Sequence, residues 1–141
     1  MLLSQLFEDT DTIKATMPSV IHWISDQPND PIVWVDVAKL DDGWKKDRDL
    51  HVGPGGNGGI RGRHARFGEW IREGHPVRMP QCSLIRHDPR GGVAFGNGRH
   101  RFSWCRDHGV TALPVTVCEG DRIAFRRQYG MAGRMSTLHA E

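Results

Sequence analysis

The sequence predicts an α+β domain, a small mixed sheet flanked by short helices. Three observations carry that expectation. The chain has 141 residues, the length of one domain. Runs rich in β-branched residues alternate along it with short stretches of helical apolar spacing. Its 38% hydrophobic and 26% charged residues suit a folded core rather than a disordered polymer or a membrane protein.

The elements follow in order. Residues 3–14 (Leu3, Leu6, Phe7) and 19–25 (Val20, Ile21, Trp23, Ile24) have helix-like spacing, the second behind Pro18. Gln27-Pro28-Asn29-Asp30-Pro31 is a turn, because two prolines among turn formers disfavour both helix and central strand. Ile32 to Val37 is apolar on both faces and β-branched, a buried strand. Asp41 to Gly62 is polar and then rich in glycine (Gly53-Pro54-Gly55-Gly56-Asn57-Gly58-Gly59), which packs no core and reads as a long loop, either a lid or a mobile connector. Arg63 to Arg72 is a short helix whose Phe67, Trp70 and Ile71 form one apolar stripe closed by Gly74. Pro80 to Arg86 and Gly92 to Phe95 are two strands joined by the turn sequence Asp88-Pro89-Arg90-Gly91. Arg99 to His108 is a helix with Phe102 and Cys105 inward and Gly109 at its end, and Leu113 to Val117 is a strand whose Pro114 argues for a strand start or a sheet edge. From Gly120 onward the basic residues, Gly130 and Gly133 suggest a loosely attached tail.

Composition excludes several classes. The longest apolar run, Ile32 to Val35, is four residues, against about 18 for a membrane span. Met1-Leu2-Leu3 meets Glu8, Asp9 and Asp11 at once, so no secretory signal and a cytoplasmic location are expected. Cys82, Cys105 and Cys118 are odd in number and lack zinc-ribbon spacing, which reads as reduced and structural. Charge is sorted along the chain: residues 1–60 hold five basic and ten acidic side chains, residues 61–106 ten arginines and three acids. All lysines precede residue 47 and all but one arginine follow residue 60. A guanidinium grips phosphate with two parallel N–H donors, so the arginine-dense middle suggests phosphate ligands, against the alternative of a solvated basic face.

One segment concentrates the chemistry. Gly92-Val93-Ala94-Phe95-Gly96-Asn97-Gly98-Arg99-His100-Arg101-Phe102 reads as strand, glycine turn and helix start. Free N–H groups and the positive end of the helix dipole attract an anion there, glycine permits close approach, and Arg99 and Arg101 supply charge. Gly62-Arg63-His64-Ala65-Arg66-Phe67 echoes it, so two such turns facing one cleft would hold a nucleotide, unless the echo is chance. Metal chemistry is less defined. His87-Asp88 and His51 lack ligand spacing, while Asp36 and the Asp41-Asp42 pair compete between water-mediated magnesium binding and capping or turn roles. Trp44 and Trp70 are the aromatics that could stack on a base, with Trp70 read as core.

The run Phe95-Gly96-Asn97-Gly98-Arg99-His100-Arg101-Phe102-Ser103-Trp104, then Asp107-His108-Gly109 and Leu113-Pro114-Val115-Thr116-Val117, resembles the nucleotide-binding box of the ParB/sulfiredoxin superfamily. In that box a strand enters a glycine, polar, basic-basic turn, a helix follows, and a glycine introduces a strand beginning near a proline. The resemblance spans roughly residues 32–118 and implies a compact ParB/sulfiredoxin-like single domain, with 1–31 a helical or extended arm and 119–141 a tail. The sulfiredoxin nucleophile is missing, because Arg99 stands where its cysteine would be. Twenty-three residues follow Cys118, too few for the helix-turn-helix that partition-type ParB proteins carry. Free-serine kinases of the superfamily have an acid where this chain has Asn97, which weakens that reading.

What remains is similar to small plasmid-borne proteins of the oncogenic-suppression, or Osa-type, fertility-inhibition group. That resemblance implies ATP as ligand, Mg2+ beside it, ATPase and DNase activity, and inhibition of conjugative or T-DNA transfer through a type IV secretion system. The partners would be nucleotide, DNA and a secretion or conjugation component, without membrane insertion. Arg99, His100 and Arg101 are the candidate catalytic residues; Gly96, Asn97, Gly98, Arg99, His100 and Arg101, with Gly62 and Arg63, are the candidate nucleotide ligands. The alternatives are a non-enzymatic nucleotide- or DNA-binding module of the same fold and a small-molecule kinase of the free-serine type.

Overall fold

The structure, a computed structural model, describes residues 21–131. Six strands and four helices follow one another as β1 (Trp23–Ile24), β2 (Ile32–Asp36), α1 (Val37–Trp44), α2 (Arg63–Arg72), β3 (Val77–Arg78), β4 (Gln81–Leu84), β5 (Val93–Asn97), α3 (Arg99–Asp107), β6 (Ala112–Thr116) and α4 (Arg122–Tyr129). The architecture is mixed α+β: a four-stranded sheet in the order β2-β6-β4-β5 and a parallel pair β1-β3. The expected helix over residues 3–14 and the tail beyond residue 131 lie outside the described residues.

β2 and β6 run antiparallel from Ile32 opposite Thr116 to Asp36 opposite Ala112. Alternation of Val33 and Val35 with Leu113 and Val115 turns one face of this pair inward, where all four are buried. β4 and β5 form the expected hairpin, its turn closed by the Gly91 N–H on the Asp88 carbonyl at 2.9 Å. A bulge at Gln81/Cys82 leaves Gly96 unmatched just before the glycine turn, re-aiming the strand end. Pro114 sits in a strand that is central by order, contrary to the edge expectation. Trp34, its partner across the ladder, gives its carbonyl to the Met131 N–H at 3.1 Å, so the backbone groups of this pair point away from each other. The N–H that proline lacks would face β4, which joins β6 only at Gln81 opposite Thr116, so no ladder bond is lost.

Three other expectations are corrected. The Trp23 region is a strand rather than a helix, because Val77 and Met79 donate to the His22 and Ile24 carbonyls at 2.8 Å each. The long loop does not begin at Asp41. Asp36 ends β2 and accepts from the Lys39 N–H at 3.1 Å as an N-cap, and Val37, Leu40 and Trp44 share the inward face of α1. Their helical spacing is masked in the sequence by the Asp41-Asp42-Gly43 string. Finally, residues 120–131 do not hang loosely: Phe125 and Tyr129 are buried, and Gly43 lets Tyr129 approach so closely that a Cβ there would lie 2.5 Å from its hydroxyl. A Val35–Gly130 bridge continues the attachment.

The core gathers between the sheet and the helices, where Trp44 meets Phe95 and Phe102 at ring separations of 4.5 and 5.6 Å. Each such fully buried aromatic stabilises the fold by about 1.5–3 kcal/mol. Among the described residues no helix is long and apolar enough to cross a membrane.

Candidate functional site

α2 and α3 begin alike. Gly62 and Gly98, their N-caps, both adopt the left-handed conformation, at φ of 83° and 84°, and no side chain caps either helix. At Gly98 the reason is also steric, since a Cβ would lie 2.8 Å from the Cα of Pro80. Phe102 is the first residue of α3 to bond back, its N–H on the Gly98 carbonyl at 2.9 Å, which leaves the preceding N–H groups at the open end of the helix.

Both helix starts border one cleft of about 840 Å³, towards the upper end of the range typical of small-molecule sites. Its cations are Arg63 and Arg66 from α2, Arg78 from β3, and Arg99 and Arg101 from α3. Ile24, Leu50, Ile60 and Trp70 supply exposed apolar surface around them. No aspartate or glutamate lines the cleft. Asp26, outside the lining, pairs with Arg78 at 3.9 Å, and the remaining guanidiniums leave the cleft a positive basin for an anion.

The sequence-derived candidates divide by what they touch. Gly96, Asn97, Gly98, Arg99, His100, Arg101 and Arg63 line the cleft, whereas Gly62 caps α2 beside it. The Arg63 N–H donates to the Ile60 carbonyl at 3.1 Å, while its guanidinium lines the cleft with no hydrogen-bond or ion-pair partner among the described residues. Arg99 Nη1 donates to the Leu50 carbonyl at 2.8 Å. Arg101 is the most committed: it donates to the Arg78 carbonyl and, at 3.0 Å, to Asn97 Oδ1, tying β3 to the end of β5. Burial lowers its pKa below the ordinary arginine value.

His100 is buried, and its Nε2 accepts from the Ile60 N–H at 2.8 Å. Burial, together with the charges of Arg99 and Arg63, lowers its pKa to about 4, so the ring is neutral at pH 7 with the Nε2 lone pair already engaged. Gly59 makes this possible, since a Cβ there would stand 2.7 Å from Nε2. The geometry suits His100 to holding the glycine loop shut on the cleft wall.

A second tether fixes the other end of that loop. Asp107 Oδ2 accepts from the Gly55 N–H and from His64 Nε2, both at 2.9 Å, and Asp107 Oδ1 accepts from Arg106 at 3.0 Å. Arg106 continues to Asp41 Oδ1 at 2.9 Å and to the Val52 carbonyl at 2.7 Å, and His51 also reaches Asp41 at 2.9 Å. Burial pushes the Asp41 carboxyl up, but the hydrogen bonds from His51 and Arg106 outweigh it and hold the pKa below the usual value. Two side chains of α3 thus bind the backbone of residues 53–62, the loop whose sequence reads equally as a lid or a mobile connector.

The metal candidates are accounted for otherwise. Asp36 is a cap; Asp41 is ion-paired inside α1 rather than a turn residue; Asp42 reaches Lys45 at 3.5 Å. Asp88 is held by Arg90, which lowers its pKa to about 2. Among the described residues no group of three or more His, Cys, Asp or Glu could hold a metal. Magnesium prefers one or two carboxylates, so the donors lining the cleft do not fit a protein-held Mg2+. Cys82 and Cys105 are buried, the latter with its thiol pushed up to about 12, whereas Cys118 is exposed and departs from the structural reading. Trp44 is fully buried and unavailable to a base, and Trp70, read as core, is 46% exposed at the cleft. Sequence reasoning missed Arg66, Arg78 and the openness of Trp70. Arg63, Arg66 and Trp70 at i, i+3 and i+7 were a legible second stripe beside Phe67 and Ile71; Arg78 arrives only through the β1–β3 pairing.

No family model and no curated protein matches the chain. Among solved structures, the crystal structure of the oncogenic suppression activity protein, a plasmid fertility inhibition factor studied as a gold(I) cyanide derivative, matches with a TM-score of 0.57 at 18% identity. The match covers 72% of this chain and 57% of that one, so the chain spans little more than half of its neighbour's length. The fold described here is therefore similar to that of a plasmid fertility inhibition factor.

Proposed function

We propose that the cleft binds the phosphates of a nucleotide, ATP among them, and that the protein is a ParB/sulfiredoxin-like ATPase and DNase that inhibits conjugative or T-DNA transfer through a type IV secretion system. One observation carries the binding step: two glycine-capped helix starts and five arginines border one cleft without a carboxylate. The N–H groups opening α3 would meet phosphate oxygens, with Arg63 and Arg99 neutralising charge and Arg101 fixing the turn through Asn97. The same groups suit the phosphodiester backbone of DNA. The likeness in fold to a plasmid fertility inhibition factor supports the biological setting.

A second reading, binding without hydrolysis, is favoured by a specific observation. The cleft has no carboxylate to serve as base, and His100 already accepts from Ile60. Phosphate release from ATP with magnesium separates the two readings. Turnover by the wild type that is lost in Arg99→Ala supports the enzyme; nucleotide binding without release supports the binding module.

A further inference from the structure

Trp70 is unusual among the large apolar side chains of α2. Phe67 and Ile71 beside it are buried, yet the indole stands 46% exposed in the cleft wall. It is not free to turn, because Nε1 donates to the Pro76 carbonyl at 2.9 Å and the ring stacks on His75 at 4.1 Å with an interplanar angle of 30°. His75 thus covers one face of the indole and, with the Pro76 bond, fixes the angle at which the rest of the ring stands in the cleft wall.

Its position along α2 gives it a partner chemistry. Arg63, Arg66 and Trp70 lie within about 60° of one another on the helix surface, and Arg63 and Trp70 are about 10 Å apart along the axis. Both arginines and the indole line the same cleft. A ligand matching this stripe carries negative charge at one end and a flat π-system at the other, joined by a spacer. A nucleobase linked through a sugar to phosphate has that form, and base stacking on aromatic side chains beside a basic groove is how such units are held.

We infer that Trp70 is the stacking platform for the nucleobase of the ligand, with its phosphates directed along α2 to Arg66, Arg63 and the Gly98 turn. The inference rests on the nucleotide reading of the cleft. Its ligand is a single nucleotide or the nucleotide unit of a single strand, which share the same chemistry.

The test titrates the whole protein with ATP, with a thymidine oligonucleotide and with inorganic tripolyphosphate, which has the charge and no base. Trp70→Ala is expected to weaken ATP or the oligonucleotide by roughly five- to hundred-fold, with Trp70→Phe staying within a few-fold of wild type. Tripolyphosphate affinity is expected to be unchanged in both variants. Whichever base-bearing ligand shows the loss identifies the source of the base. Wild-type affinity for both in Trp70→Ala overturns the platform while leaving nucleotide binding intact; an equal loss of tripolyphosphate assigns Trp70 a purely structural role and also overturns it. A wild-type protein that binds none of the three removes the nucleotide reading itself.

Discussion

The imidazole of His100 is packed where a charge is costly, beside Arg99, Arg63 and His64. Its pKa is lowered from the ordinary 6.5 to about 4 chiefly by burial, so between those values the unfolded chain binds more protons than the folded one. Stability contributed by the neutral ring is complete above pH 6.5 and is lost as pH falls towards 4. His100→Gln retains an acceptor for the Ile60 N–H and has no proton to take up. Thermal melts across this window are expected to show a falling melting temperature in the wild type and a flatter profile in the variant. Identical profiles would mean that other groups carry the pH dependence.

At the scale of elements, the glycine loop depends on α3. Asp107 holds Gly55 and His64 together, and its side chain is 15% exposed. Asp107→Ala is expected to destabilise the protein by roughly 1.5–3 kcal/mol, the worth of hydrogen bonds to a charged group. Limited proteolysis should then cut residues 53–63 faster than in the wild type, because the backbone there loses its anchor; equal cutting rates would contradict the tether. The sequence showed the glycines but not their anchors. Asp107 and His64 are 43 residues apart, and only folding brings α2 against α3. The hairpin, α2, α3 and β6 were legible because turn residues and apolar periodicity are local. Trp23 was misread because two residues carry no period, and α1 because a buried aspartate interrupts its apolar face.

For the whole molecule, charge sorting along the chain becomes a surface feature, with Arg63, Arg66, Arg78, Arg99 and Arg101 all converging on one cleft. That convergence predicts DNA binding that is sequence-independent and falls steeply with salt, by about 0.7 logarithmic units per tenfold rise in salt for each arginine engaged on a single strand. Fluorescence anisotropy at several ionic strengths measures the slope, and a flat profile would argue against direct contact with DNA. The arginine-rich middle pointed to this basin before any fold was known. The echo of Gly62-Arg63-His64 in Gly98-Arg99-His100 placed two of its walls, while β3 and the Trp70 face needed the tertiary structure.

Nucleotide binding can be probed at Arg63 with little disturbance of the fold, since its guanidinium lines the cleft without a partner among the described residues. Calorimetric titration of ATP into the wild type and Arg63→Ala is the decisive measurement. The wild type is expected to bind, and the variant to lose roughly 1.5–3 kcal/mol of binding free energy at an unchanged melting temperature. Unchanged affinity in a folded Arg63→Ala, or no binding by the wild type, would contradict a nucleotide held between the two helix starts.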